Sequence, residues 1–289
     1  MSITMQDKWD REKLTQLRCT FLLDCINTGK FDERDSFPSA SELTKTAQSQ
    51  TPSFPCTFIP QIEGEGTLDY YEIQIANAQQ IPTRENNWHD FFNGLIWHQF
   101  PKSKMLISRL HAKDIEQHGL SPRTPRRDRL THFDECGLLL LVKKSDLAQC
   151  TSFFHGLSTH NWTQVYLELR NLWHNVVTPC LFGHASAEMM LSPFVGLTAK
   201  WVLVPVDDDF DTCSFAEKRA HVDDQLLSVI TYFDGFTSKN VLRPIPLLGI
   251  PQWCDKQNAN FYSDSNYFRS QREGVALTQQ YPPRWPLKQ

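Results

Sequence analysis

Apolar positions recur at three-to-four spacing over much of the chain, and the stretches where they do set the expected elements. Trp9, Leu14, Leu17, Phe21, Leu22 and Cys25 form one such stripe, predicting an amphipathic helix over 7–27 that Gly29 stops. From Phe31 to Pro60 neither period persists and Ser, Thr and Pro are frequent, so this span reads as a long surface connection. Over 69–79, Tyr71, Ile73 and Ile75 alternate like a strand while Tyr71, Ile75 and Ala78 keep a helical face, and the helix is favoured. Phe91, Phe92, Leu95 and Ile96 give a buried stripe to a helix over 88–99, with Asn87 as N-cap and Asp90 at its positive end. Pro101 forces a stop or kink at Phe100. A second helix over 102–117, carrying Met105, Leu106, Leu110 and Ile115, ends at Gly119.

Two prolines and four arginines make 121–129 a loop on this reading. Leu130–Phe133, the turn 134–137 and the run Leu138–Val142 read as strand, turn and buried strand. Ser145 caps a helix through Phe154, and another helix from Thr159 or Asn161 carries Val165, Leu169, Leu172, Trp173 and Val176. The span 180–183 is strand or turn, 185–191 is one or two helical turns, and Lys200–Val206 alternates like a strand. Ser214 with Glu217 forms a capping box for a helix towards Phe233, and the chain after Arg243 is irregular. Helices outnumber and interleave with strands, which predicts an α+β class, with mixed α/β as the alternative: a helix-rich single domain around a small sheet. Its parts are an N-terminal helix at 1–30, a Ser/Thr/Pro-rich connection at 31–60 and a main domain at 61–289 with an irregular C-terminal segment.

Composition narrows the class. A chain of 289 residues can bury a core without staples, and 29 Lys+Arg against 33 Asp+Glu argues against a broad nucleic-acid-binding face. Eight cysteines with no C-x-x-C pair read as reduced thiols of a cytoplasmic protein rather than a disulfide framework or structural zinc site. No apolar run approaches the ~20 residues of a membrane span, and charges throughout the first thirty residues leave no secretory signal visible. H-E-x-x-H, P-loop, G-x-G-x-x-G and G-x-S-x-G are all missing, and the zinc deaminase signature fails because no P-C-x-x-C follows His184.

Four clusters carry ionisable chemistry. His89 and Asn93 stand one helical turn apart next to Asp90 and behind Arg84, so an imidazole able to move a proton lies beside a guanidinium able to hold a planar anion. Arg123, Arg126, Arg127 and Arg129 surround Asp128 and call for something negative, whether a ligand or internal acids. Asp134 and Glu135 follow; in a strand they would face opposite sides, so a turn is favoured for the pair. His184 and Glu188, four apart on a short helix, can share a proton, or a metal with His89 or His111, but without a ligand signature no metal is assigned. Near the end, Trp253 or Tyr262 can stack on a ligand and Arg269 or Arg272 can reach an anion, while packing over the core is the simpler role.

Taken in order, Pro82-Thr-Arg84, Asn87-Trp-His-Asp-x-Phe-Asn93, Phe100-Pro101, Arg127-Asp128 with Thr131-x-Phe-Asp-Glu135, Phe182-Gly-His-Ala185 and Pro246-x-x-Gly-Ile-Pro251 resemble an uncharacterised bacterial family, the domain of unknown function DUF 3025. The resemblance spans roughly Phe58 to Arg272, with Gln252 where a glycine is expected and Ser108 where an asparagine is expected. It implies a bacterial cytoplasmic protein and supplies no activity, substrate or cofactor. The residues themselves point to a hydrolase or group transferase acting on a small anionic ligand. His89 would be the general acid or base, Arg84 and Arg127 the anion clamp, Asn93 the substrate-orienting amide, and Asp128 or Asp134 the positioning carboxylate. Asp90, His184 and Glu188 complete the candidate catalytic set, and Arg126, Trp253 and Arg269 the candidate binding set. The alternative is a non-catalytic module that binds a nucleotide, nucleic acid or phosphorylated partner through the 123–129 arginines. No cofactor follows from these residues, and the oligomeric state is left open.

Overall fold

Five consecutive apolar residues, Leu138 to Val142, suit a strand covered on both faces. The computed structural model, which describes residues 7–61, 70–255 and 257–283, places all five in the core. Along the chain, α1 (Arg11–Thr15), α2 (Thr20–Thr28) and α3 (Ala40–Gln50) lead to β1 (Thr57–Pro60). α4 (Tyr71–Ala78), β2 (Gln80–Thr83), α5 (Trp88–Gln99), α6 (Pro101–His118) and α7 (Pro125–Cys136) follow, and α7 runs straight into β3 (Gly137–Lys143). α8 (Thr151–Thr159), β4 (Thr178–Leu181), α9 (His184–Met189), β5 (Thr198–Val206), α10 (Phe215–Tyr232), β6 (Arg243–Pro246) and α11 (Ala259–Tyr262) complete the helices and strands of the described residues.

The larger sheet has the order β4-β3-β5-β6, with β3 parallel to β5 and each outer strand antiparallel to its neighbour. Leu138 lies opposite Leu181 on one side and Trp201 on the other, which fixes the end of β3 that adjoins α7. Pro244 and Pro246 are accommodated because β6 is an edge strand. α10 packs on β5, α2 on β4, and α7 on both β3 and β5. β1 and β2 form a separate parallel pair. Helices segregated around small sheets make the class α+β. No helix among the described residues is long and apolar enough to cross a membrane.

Several elements differ from their sequence reading. The expected helix over 7–27 is two helices, α1 and α2, broken between Gln16 and Cys19. The span 31–60 contains α3, opened by a Ser39–Glu42 capping box and buried through Ala40, Leu43 and Ala47, and it ends in β1. Asp69, first residue of the helix expected over 69–79, lies outside the described residues, and the helix itself is α4. The largest change is α7: the second half of the expected arginine-rich loop, the strand after it and most of the expected turn are one helix, whose N-cap Thr124 and N1 proline Pro125 start it where the prolines suggested coil. The helix expected after Asn161 is a π turn over Gln164–Glu168 and a 3-10 turn over Arg170–Leu172. Phe100 serves both as C-cap of α5 and N-cap of α6, so the kink falls at the expected residue. Its side chain caps nothing, and the Asp223 carboxylate accepts from the Lys102 and Ser103 N–H groups instead, both at 2.9 Å.

Candidate functional site

Five helices, α4, α5, α6, α7 and α9, meet around a cavity of about 250 Å³. α5 brings His89 and Asn93, and Asn87 starts the helix by accepting from Asp90 N–H at 3.0 Å, which fixes where its first turn points. α6 contributes a polar seam, Lys104, Ser108 and His111, at helical spacing. The last turn of α7 carries Asp134 and Glu135; successive helical residues are about 100° apart, so both reach the cavity, which a strand would have forbidden. α9 presents His184, and its approach depends on Gly183. A Cβ there would meet Cys136 Cα, Glu135 O and Gly137 N at 2.5 Å each. Two N–H groups, of Phe182 and Gly183, donate to Gly137 O at 3.0 and 2.8 Å and hold that junction.

The two imidazoles face each other, Nε2 to Nε2, at 3.1 Å, with ring planes 76° apart. Their other nitrogens turn to carboxylates. His89 Nδ1 lies 3.0 Å from Glu188 Oε2, and His184 Nδ1 faces Asp134 Oδ2 at 3.7 Å. Glu135 Oε2 stands 3.5 Å from His184 Nε2. Lys104, 3 % exposed in its side chain, donates to both Asp134 oxygens at 2.6 and 2.8 Å and to Asn93 Oδ1 at 3.0 Å, and Asn93 in turn donates to the Tyr71 hydroxyl at 2.8 Å. The hydrogen bond to Glu188 holds the His89 pKa above the ordinary imidazole value. Burial pushes His184 down to about 3, so it is neutral across the physiological range. Burial alone would raise Asp134, but the charge and hydrogen bonds of Lys104 outweigh it and hold the carboxyl below its ordinary range. Burial raises Glu135 and Glu72, and lowers His111 to about 4.

A family model described as a protein of unknown function (DUF3025) matches residues 56–272. The chain belongs to the DUF3025 family. Comparison with curated proteins and with solved structures gives no match. Of the DUF3025 segments recognised in the sequence, those holding His89, Asn93, Asp134, Glu135 and His184 line the cavity, as do Arg84 and Asp90. Glu188 stands behind His89. Asp90 is committed to Arg84, whose N–H, Nε and Nη2 donate to it at 2.6, 3.1 and 2.7 Å, so this pair ties the incoming loop to the start of α5. Gln252, where a DUF3025 glycine is expected, has φ 71, the left-handed conformation that glycine adopts without steric cost.

Other candidates lie elsewhere. Asp128 is exposed on the first turn of α7. Arg127, 0 % exposed, is no anion clamp at the cavity: it donates to Leu120 O at 2.9 Å and Gly119 O at 3.4 Å, and covers the Tyr70 ring at 5.4 Å. Arg126 pairs with Asp114, Arg129 donates to the carbonyls of Phe236 and Thr237, and Arg123 donates to the Tyr70 hydroxyl. Trp253 is buried in the core, and Arg269 is exposed near His160 and Trp162. Lys104 and Tyr71 carry no such signal of type. Lys104 was findable only as part of the polar seam it shares with Ser108 and His111 on α6.

Proposed function

We propose that the cavity is the reaction site of a cytoplasmic bacterial enzyme that hydrolyses, or transfers a group from, a small anionic substrate. One observation carries this reading: His89 Nε2, His184 Nε2 and a Glu135 oxygen, from three elements distant in sequence, converge within 4.8 Å of one another on the cavity wall. A water held at that point can give its proton to His89 Nε2 as it attacks, and Glu188 fixes the orientation of His89 through Nδ1 as such a centre requires. Lys104 supplies buried positive charge, Asp134 positions both Lys104 and His184, and the Asn93 and Tyr71 pair gives a polar wall that orients the substrate. Arg84 adds positive charge at the rim, with 46 % of its side chain exposed. At about 250 Å³ the cavity is smaller than the roughly 300–1,000 Å³ of most ligand pockets, and so suits only a small substrate. The binding-module alternative is not favoured, because Arg123, Arg126 and Arg129 serve internal partners and Arg127 is fully buried.

The test compares wild type with His89→Asn on a panel of small phosphate and carboxylate esters and amides. Turnover by the wild type should fall by about 100-fold or more in the variant, with melting temperature unchanged. Unfolding of the variant would make His89 part of the scaffold, and equal rates would remove it from the chemistry.

A further inference from the structure

Two neutral imidazoles do not place Nε2 against Nε2 at 3.1 Å without something between them or a proton on one of those atoms. The protons have better places to be. An ionised Glu188 accepts from His89 Nδ1 at 3.0 Å, which leaves the His89 Nε2 lone pair free, and Asp134 on the Nδ1 side of His184 favours the same tautomer there. Two lone pairs and a Glu135 oxygen then converge on one point. Three carboxylates, Asp134, Glu135 and Glu188, crowd this pair, and the Lys104 ammonium answers one of them. The point thus calls for a cation.

We propose that His89, His184 and Glu135 bind a single first-row divalent cation of the zinc type, with Glu188 and Asp134 as the carboxylates that orient the two imidazoles. Two of the three donor separations suit such an ion, and the third, between His89 and Glu135, lies within 4.8 Å. Bonds of about 2.0–2.1 Å at tetrahedral angles put donor atoms about 3.3–3.4 Å apart, and the observed separations are 3.1 Å between the nitrogens and 3.5 Å from His184 to Glu135. Two imidazoles and one carboxylate select a transition-metal ion over magnesium or calcium, which take all-oxygen sets. Ligating histidines regularly give their second nitrogen to a carboxylate, as His89 does to Glu188, while the buried Nδ1 of His184 faces Asp134 at 3.7 Å. Three protein donors leave a coordination position free for water or substrate, and the cavity lies beside them. An ion at this position would supply the acidity that makes a water reactive near neutral pH. The inference rests on the proposed hydrolytic role only in sharing its cavity.

The full chain, stripped with a chelator and dialysed, is titrated with Zn²⁺ by calorimetry and with Co²⁺ by visible absorption, and its melting temperature is read with and without Zn²⁺. Expected are one ion per chain, a rise in melting temperature, and a tetrahedral-type Co²⁺ spectrum. His89→Gln and Glu135→Gln, both at partly exposed positions, should weaken binding by about 100-fold or more, and Glu188→Gln by roughly 10- to 100-fold. His132→Gln, at an exposed histidine on α7 outside the cavity, should bind as wild type. Absence of saturable binding, or wild-type affinity in both His89→Gln and Glu135→Gln, overturns the proposal and leaves a proton between the rings. One ion per chain lost in those variants, in a protein that turns over nothing, keeps the ion and removes only the hydrolytic reading. Turnover in stripped protein that takes up no Zn²⁺ does the reverse.

Discussion

Gly183 decides whether His184 can stand where it does. Its φ of −69° is open to any residue, so the requirement is space and not backbone freedom. The atoms a Cβ would strike, Cys136 Cα, Glu135 O and Gly137 N, are all backbone at the joint between α7 and β3, and none can swing aside. Gly183→Ala should therefore push α9 away from α7, separating His184 from Asp134 and Glu135. Overpacking of this kind costs about 1–3 kcal/mol, and at a rigid backbone joint the upper end is expected. Thermal unfolding of the variant should show a melting temperature several degrees lower; an unchanged melting temperature would mean that the two segments are not in contact as described.

At the scale of elements the cavity depends on α7, which carries Asp134 and Glu135 at its far end and is anchored to α6 at its start. The Thr124 hydroxyl accepts from Arg127 N–H at 3.2 Å and donates to Asp114 Oδ2 at 2.6 Å, while Arg126 pairs with the same carboxylate. Thr124→Ala should cost about 1–2 kcal/mol in denaturant unfolding, and Thr124→Ser under about 0.5 kcal/mol. Equal stability of all three proteins would show that the cap does not hold the helix. The same helix shows where sequence reading reached its limit. α5 and α10 were legible because a cap and an apolar stripe agree, and β3 because an apolar run of five can only be buried. In α7 only Leu130 and Phe133 are buried apolar residues, so periodicity is nearly silent and the short Thr124-Pro125 start signal competes with an arginine-rich composition. α3 hides the same way in polar residues, with Leu43 as its one large buried apolar side chain. β1 pairs with β2 across more than twenty residues, which no local pattern records. At the cavity, His89, Asn93, Asp134 and His184 were legible by type. Lys104 was not, since Asp134, the partner that gives it meaning, lies 30 positions away, and Glu135 was read only as part of a turn, since His184 lies 49 positions away. Arg127 misled for the converse reason: a charged side chain beside others looks like a surface clamp until its burial is seen.

Over the whole molecule, burial of neutral histidines couples stability to pH independently of any reaction. His98, 1 % exposed, sits among Phe31, Phe54 and Phe58, and burial together with the charge of Arg219 lowers its pKa to about 3. His111, 2 % exposed, is lowered to about 4 mainly by burial. In the unfolded chain both titrate near the ordinary value of about 6.5. Between that value and the folded one the unfolded state binds more protons, so stability rises with pH across this window and is lost as pH falls from 6.5. At pH 5 each histidine should have removed about 2 kcal/mol relative to neutral pH. His98→Phe extends an aromatic cluster already present and removes one of these sites, so its stability should fall about 2 kcal/mol less than that of wild type between pH 7 and pH 5. Urea unfolding of both proteins at the two pH values measures the difference. Equal losses would mean that His98 is already protonated in the folded protein, against a hydrophobic surround that offers the charge nothing.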